Sequence, residues 1–404
     1  MNVLIIQPWI RLGGAELVST YLAHTLSARG YNTTIACTFL VLHGMQRQAQ
    51  ELNYRLPHRA ISRLLAGNRL AFLLLGPWIL LWLVWTSSRE VDVLNPHEFP
   101  SVWVAIVVGA IRRIPVVWSS YGPTRRFGWR DIPNIGFGDW LGWLIASSWL
   151  DRLFVRRLSA IHVPSDLSRN LIRERYGRDA DVIPLGVDAH FYGAGEASGV
   201  LSENGAQGKF VLLTVGKLHP QENQVICLLA LKALLPIIPS AFLFIVGDGP
   251  MRVRLEGLAA RLQIAGHVKF TGHIPSWEVR DYYKACAVHL FPPLQESWGL
   301  APFEALAAGR VSVVSNDCGA AGILSEKGIG IVCPPTPDEF AQKVADVYSN
   351  SFPITEMAAA GREFVQTNLT WQEHSDQVLR LMERVSGPQR RTGKATLADE
   401  VPYT

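Results

Sequence analysis

Short apolar runs alternate with longer amphipathic stretches along almost the whole chain, and this alternation limits the fold more than any other feature. Strands that each need a crossover helix, and that are apolar on both faces, form parallel sheets wound with helices on both sides. The first half offers six such strands: Val3–Gln7, Thr33–Cys37, Val91–Asn95, Pro115–Ser119, Ala160–Val163 and Asp181–Ile183. The second half offers six more: Phe210–Val215, Ala241–Val246, Val268–Thr271, Val288–Phe291, Val311–Ser315 and Ile329–Val332. A chain of 404 residues exceeds one compact core. The expectation is therefore two doubly wound, Rossmann-like α/β domains, over residues 1–192 and 209–386. Residues 193–208 lack periodicity and read as a linker, and residues 387–404 as a disordered tail. The last helix before that tail is expected to pack back towards the N-terminal domain.

Composition narrows the functional classes. Hydrophobic residues make up 49% and charged residues 18%, a globular balance. Five cysteines are scattered without a CxxC pair, which predicts reduced thiols in a cytoplasmic compartment and no metal cluster. The opening Met-Asn-Val-Leu-Ile-Ile-Gln-Pro reads as a strand and not as a signal peptide. Residues 1–190 hold 20 Arg, no Lys and 13 acids, and ten of the thirteen tryptophans precede residue 150. A basic, tryptophan-rich half suits either nucleic acid or an anionic membrane surface. The arginines form no clustered stripe and no nucleic-acid motif accompanies them, so nucleic acid is set aside. Leu70 to Ser88 is uncharged, carries Trp78, Trp82 and Trp85, and is interrupted by Gly76-Pro77. It reads as a membrane span, an interfacial helix or a buried helix. A second apolar stretch, Trp140 to Leu150, is followed by Arg152, Arg156 and Arg157. Peripheral membrane contact through the N-terminal domain, at the inner face of the cytoplasmic membrane, is the expectation.

The densest chemical signal is Glu296-Ser-Trp-Gly-Leu-Ala-Pro-Phe-Glu304-Ala-Leu-Ala-Ala-Gly309, after the strand Val288–Phe291. It places two carboxylates at a strand's carboxyl end, where open α/β sheets bind ligands. One acid can accept hydrogen bonds from sugar hydroxyls and the other from ribose hydroxyls. The amides of Trp298, Gly299 and Leu300, near a helix start, can cradle a diphosphate. The alternative is a pair of solvated glutamates flanking an ordinary turn.

This segment resembles the Glu-x7-Glu signature of the retaining glycosyltransferases of family 4, which have the GT-B fold. Other segments resemble that family in the same order. They are Leu12-Gly13-Gly14-Ala15-Glu16, Val182-Ile-Pro-Leu-Gly-Val-Asp188, Val215-Gly-Lys-Leu-His-Pro-Gln-Glu222, Val246-Gly-Asp-Gly-Pro250 with Arg252, Asp317-Cys-Gly-Ala-Ala-Gly-Ile-Leu324 and Gly330-Ile-Val-Cys-Pro-Pro335. The resemblance implies that Glu304 binds the donor ribose and Glu296 the hydroxyls of the transferred sugar. It implies that His97 stands near the anomeric carbon, and that Gly13 and Gly14 approach the donor phosphates. Lys217 matches the arginine that contacts the diphosphate, and Gly249 lies in the glycine loop near the base. The donor would be a UDP- or GDP-linked hexose or N-acetylhexosamine. The acceptor would be a glycan or a lipid-linked acceptor, with no metal and no other cofactor.

The sequence departs from the family at two places. Glu222 occupies the position of the second diphosphate contact, a lysine in the family, where a carboxylate repels the ligand. His219 and Arg252 are the nearest replacement cations in sequence. Gly322 stands where the family has a glutamate. Asp179-Ala-Asp181 looks like a metal-binding Asp-x-Asp but falls where the resemblance needs a strand, and is read as coincidence. Glu222 keeps open a second class, a non-catalytic scaffold subunit. A dinucleotide-dependent enzyme fails, because Gly13-Gly14-Ala15-Glu16 lacks the G-x-G-x-x-G spacing.

Overall fold

The computed structural model describes residues 1–10, 14–41, 51–98, 100–121, 152 and 154–387. Gly13, the stretch 140–150 and the tail beyond Gly387 lie outside them. In the N-terminal half, strands β1 (Asn2–Ile6), β2 (Asn32–Ala36), β3 (Tyr54–Arg55) and β4 (Val93–Pro96) form a parallel sheet in the order β3-β2-β1-β4. A parallel bridge between Leu94 and Val116 carries this sheet on to β5 (Val117–Ser119), β6 (Ala160–Val163) and β7 (Asp181–Val182). In the C-terminal half β8 (Phe210–Val215), β9 (Ala241–Val246), β10 (Val268–Gly272), β11 (Val288–Phe291), β12 (Ser312–Ser315) and β13 (Ile331–Cys333) pair in parallel, in the order β10-β9-β8-β11-β12-β13. Both halves are doubly wound, and each reverses its winding direction between its first and fourth strands.

Helices on both faces explain why the strands are apolar throughout. Leu4, Ile5 and Ile6 of β1 are fully buried, and all six residues of β9 are buried. Each strand expected from the sequence is present within two residues, and only the two-residue edge strand β3 has no apolar run to announce it.

The last helix, Trp371–Ser386, crosses from the C-terminal half to the N-terminal one. Thr370 caps it by accepting the Glu373 amide at 3.0 Å. Val378, Leu379, Leu381 and Met382 join the core made by Val3, Ile5, Leu22 and Leu26. Arg384 pairs with Asp181 at 2.8 Å, Arg29 pairs with Asp376, and Trp371 stacks on Tyr21 with 4.4 Å between centroids.

The expected linker differs from expectation. Within residues 193–208 the chain forms a helix, Ala197–Glu203, and Val200, Leu201 and Ala206 pack onto Tyr282, Tyr283 and Cys286. The reason lies in close approach: a Cβ on Gly195 would stand 2.5 Å from the Arg280 carbonyl. Glycine here lets backbone lie against the helix Ser276–Ala285, and does not mark a free hinge.

The apolar stretch forms the helix Arg69–Ser87, long and apolar enough to cross a membrane by length and composition. One face, with Gly76, Leu80, Leu83 and Val84, is buried, and Leu80 and Val84 pack with Leu94, Val102 and Trp118.

Because Met382 is fully buried in the N-terminal core, Met382→Ala should destabilise that core by about 2–5 kcal/mol. In a urea titration the transition of the N-terminal half should move to lower denaturant, while that of the C-terminal half stays in place.

Candidate active site in the interdomain cleft

The two points of reversed winding face each other across a cleft. The loop after β4 brings His97 and Glu98 from one side. From the other come Lys217 after β8, the one-turn helix Pro220–Glu222, and the Glu296 loop after β11. Hydrogen bonds span the gap. The Ser297 hydroxyl donates to the Tyr121 carbonyl at 2.7 Å, and the Ser297 carbonyl accepts from Ser165 Oγ at 2.7 Å.

His97 is fixed by Asn95. The Asn95 amide nitrogen donates to the Val117 carbonyl at 2.7 Å and to Ser119 Oγ at 2.8 Å, which leaves its oxygen facing His97 Nε2 at 3.0 Å. That oxygen can only accept, so Nε2 carries the proton and Nδ1 presents a lone pair. Burial, with His374 nearby, holds the imidazole down at about 3, so it is neutral at physiological pH. Nδ1 is buried and has no partner among the described residues. Both ends of the Gln7 amide, just past β1, are also buried and unpaired among them. Two polar groups at one switch point are thus buried without a partner among the described residues.

The Glu296 loop is built on the loop after β12. Glu296 N donates to the Asp317 carbonyl at 3.1 Å, Gly319 N to the Glu296 carbonyl at 2.9 Å, and Ala320 N to the Trp298 carbonyl at 2.8 Å. Gly299 sits at φ +87°, and a Cβ there would stand 2.5 Å from the Phe291 ring. The amides of Trp298 and Gly299, expected to cradle a diphosphate, instead face the Glu296 carboxylate. The Trp298 amide lies 3.4 Å from Glu296 Oε1. Burial raises the Glu296 pKa, and these amides, with that of Ser297, oppose the rise. The Trp298 side chain is core, stacked on Phe303. Leu300 lies at the start of the helix Ala301–Ala307.

Glu304, in the first turn of that helix, is held by two tyrosines. Tyr192 donates to Oε1 at 2.8 Å and Tyr283 to Oε2 at 2.7 Å. Burial raises the carboxyl pKa and the two hydroxyls oppose it. Each oxygen keeps a second acceptor position, so the clamp fixes the rotamer without exhausting the group.

Lys217 lies among carboxylates. Burial and the neighbouring Glu296 push Glu222 up to about 7 against the pull of Lys217. Burial and Glu16 push Glu98 to about 7, again against Lys217. Glu222 therefore does not turn away: it faces the pocket with Lys217 and Glu296, and its carboxylate lies against Gly216. Arg252 is not brought to this group. Its guanidinium is paired with Asp248 at 3.2 Å and Glu256 at 2.9 Å, beside Gly272 at the end of β10. Gly249 donates its amide to Asp248 Oδ1 at 2.7 Å in the loop after β9. Gly14 opens the helix Gly14–Ala28, and Gly13 lies outside the described residues.

Asp179 and Asp181 serve ion pairs. Arg169 and Arg173 hold Asp179 at 2.9 and 3.0 Å, and Arg384 holds Asp181. Among the described residues no three His, Cys, Asp or Glu side chains are grouped to hold a metal ion. The sequence reading missed Asn95, Glu98, Tyr192 and Tyr283. A polar residue inside the apolar run Val91–Asn95 and an acid next to His97 could have flagged the first two. Nothing in the sequence pairs the tyrosines with Glu304.

Two doubly wound domains with facing switch points, and the two carboxylates of a Glu-x7-Glu loop in the cleft between them, define the GT-B class of glycosyltransferases. The chain belongs to the group 1 glycosyltransferases. The model "Glycosyl transferases group 1" matches residues 202–364, and "Glycosyltransferase Family 4" matches residues 12–191. A phosphatidyl-myo-inositol mannosyltransferase of Mycobacterium tuberculosis is 30% identical over 309 residues, covering 75% of this chain and 76% of that protein. A GDP-mannose-dependent alpha-(1-6)-phosphatidylinositol monomannoside mannosyltransferase of Mycolicibacterium smegmatis is 27% identical over 318 residues, covering 74% and 80%. Among solved structures, Anabaena Alr3699/HepE in complex with UDP and glucose superposes with a TM-score of 0.77 at 18% identity, covering 95% of this chain and 99% of that one. WaaG, a glycosyltransferase involved in lipopolysaccharide biosynthesis, gives 0.66 at 15% identity, covering 94% and 99%.

In protein labelled with 15N-histidine, His97 should show the Nε2–H tautomer and no titration between pH 5 and 8, since its pKa is held at about 3. Asn95→Leu should release the tautomer, while burial continues to hold the ring neutral.

Proposed function

We propose that the protein is a retaining glycosyltransferase that moves a hexose or N-acetylhexosamine from a nucleotide sugar to a glycan or lipid-linked acceptor, in cell-surface polysaccharide or glycolipid synthesis. The observation that carries this reading is the pair Glu296 and Glu304. Both are half-buried at the C-terminal switch point, held by loop amides and tyrosine hydroxyls, opposite a neutral His97 whose Nδ1 has no partner among the described residues. Glu304 takes the ribose hydroxyls on its free acceptor positions, and Glu296 takes hydroxyls of the transferred sugar. His97 Nδ1, a lone-pair acceptor, receives a sugar hydroxyl near the reacting carbon. Lys217 meets the diphosphate, and the departing phosphate takes the acceptor's proton. No step needs a metal ion, so transfer should be undiminished by EDTA. Of the two nucleotides, the mannosyltransferase relatives favour GDP-mannose as the first donor to try. A lipid-linked acceptor places the work at the inner face of the cytoplasmic membrane.

A thermal-shift screen against GDP-mannose, UDP-glucose and ADP-glucose tests the donor site, because a ligand of the folded state raises the melting temperature. With the donor identified, Glu296→Gln should lower kcat by about 10²-fold or more. Wild-type turnover by that variant would refute the assignment. Glu222 favours the second reading, a non-catalytic scaffold subunit. No shift with any nucleotide sugar, in folded protein, would select it.

Glu222 also sets a pH dependence. Above about 7 it is ionised and repels the diphosphate, while below that it is protonated and neutral. Donor affinity should therefore fall as pH rises from 6 to 8, by up to about ten-fold per unit. Glu98, pushed to the same range beside Lys217, titrates with it, so Glu222→Gln should make the fall shallower and tighten binding at pH 8, as read by calorimetry.

A further inference from the structure

Three helices of the N-terminal domain, Arg59–Gly67, Arg69–Ser87 and Ser101–Arg112, pack side by side in that order. The middle one buries a single face. Its outward side carries Leu70, Leu74, Trp78, Trp82 and Trp85 in a row at helical spacing, with Trp78 70% and Trp82 59% exposed. Ile61 and Leu64 on one neighbour, and Val107 and Ile111 on the other, extend the exposed apolar surface. A crossover helix facing water would present polar residues here.

The charges on the three helices themselves have one sign, and Glu90 and Asp92 are exposed acids just beyond the middle helix. None of the three helices contains an Asp or Glu. Arg59, Arg63, Arg89 and Arg113 are exposed in or beside them, and the Arg112 guanidinium lies 4.2 Å over the Trp85 ring. Tryptophan and arginine around an aliphatic surface match the boundary of an anionic bilayer, where indoles sit at headgroup level and arginines meet lipid phosphates. A second copy of the chain is a poorer occupant, since a two-fold contact would set arginines against arginines. A spanning arrangement conflicts with the opposite face, which Leu80 and Val84 pack into the domain core.

The face also ends at the cleft. Near the start of the middle helix, Phe72 contacts Trp9 at 5.2 Å and Phe39 at 6.1 Å between centroids. Those residues belong to the loops after β1 and β2, at the carboxyl edge of the sheet, the edge that also carries His97. We propose that these three helices form a docking face for an anionic lipid bilayer, with the Trp78–Trp82–Trp85 row sunk into the headgroup boundary. Docked so, the cleft rim meets the membrane, and an acceptor carried on lipid enters without leaving the surface. That last step rests on the lipid-linked acceptor of the preceding reading, whereas the docking does not.

Flotation of the full-length protein with vesicles of phosphatidylglycerol and phosphatidylcholine, or of phosphatidylcholine alone, tests the face. Binding to the anionic vesicles only, weakened by salt, is expected. Trp78→Ser with Trp82→Ser should reduce vesicle affinity by about ten-fold or more. Arg59→Gln with Arg63→Gln should weaken it and shallow its salt dependence. Both variants should keep the wild-type melting temperature, which shows that they are folded whether or not a nucleotide sugar binds, and so separates failure of docking from failure of the donor reading. Vesicle binding unchanged in both variants would overturn the proposal. So would a tryptophan-dependent dimer without vesicle binding, or membrane attachment that resists alkaline carbonate.

Discussion

Reversed winding is the constraint from which the rest follows. Where successive crossovers leave a parallel sheet in opposite directions, the loops at the carboxyl edge diverge and leave a crevice. This chain has two such places, between β1 and β4 and between β8 and β11, and they face each other. His97 and Glu98 hang from one, Lys217 and Glu296 from the other. Groups gathered in a crevice lose water, and much of the site's chemistry comes from that loss. Desolvation is the largest cause of the shifts at His97, Glu98, Glu222, Glu296 and Glu304. The fold supplies neutral acceptors and poised carboxylates by geometry, before any ligand arrives.

Rigid local bonding then decides which atoms those groups present. Asn95 chooses the His97 tautomer because its own amide is committed to β5. Tyr192 and Tyr283 choose the Glu304 rotamer. Ser297 lies between Glu296 and Trp298 and is tied to the opposite domain, so the loop that holds Glu296 is itself part of the contact across the cleft. Any change in how the domains sit is felt at that carboxylate.

The architecture was legible because strands buried on both faces must be apolar, and the β-α alternation follows from that. The motif around Glu296 was legible because its glycine, proline and two acids lie within one loop and one turn of helix. What escaped was contact between distant residues. Tyr192 and Tyr283 meet on Glu304 from two different helices, and no local pattern joins them. Gly193 to Gly208 misled for a related reason: glycine read locally means freedom, yet at Gly195 it permits close packing. The tryptophan helix left three readings open, because hydropathy counts residues without saying which side is covered. Arg252 matched by position in the chain, but its own helix carries the acid that holds it.

The last helix has a consequence for how the chain is made. Val378, Leu379, Leu381 and Met382 complete the core around β1, although they lie far along the chain from it. A ribosome delivers β1 well before these residues, with β8 to β13 made in between. The usual order of vectorial folding, N-terminal domain first, is therefore inverted: β8 to β13 can close their sheet while the earlier domain still lacks part of its interior. Until the final helix emerges, Leu22, Leu26 and Ile35 have a gap beside them. The nascent N-terminal domain is thus an incomplete body waiting for its last piece.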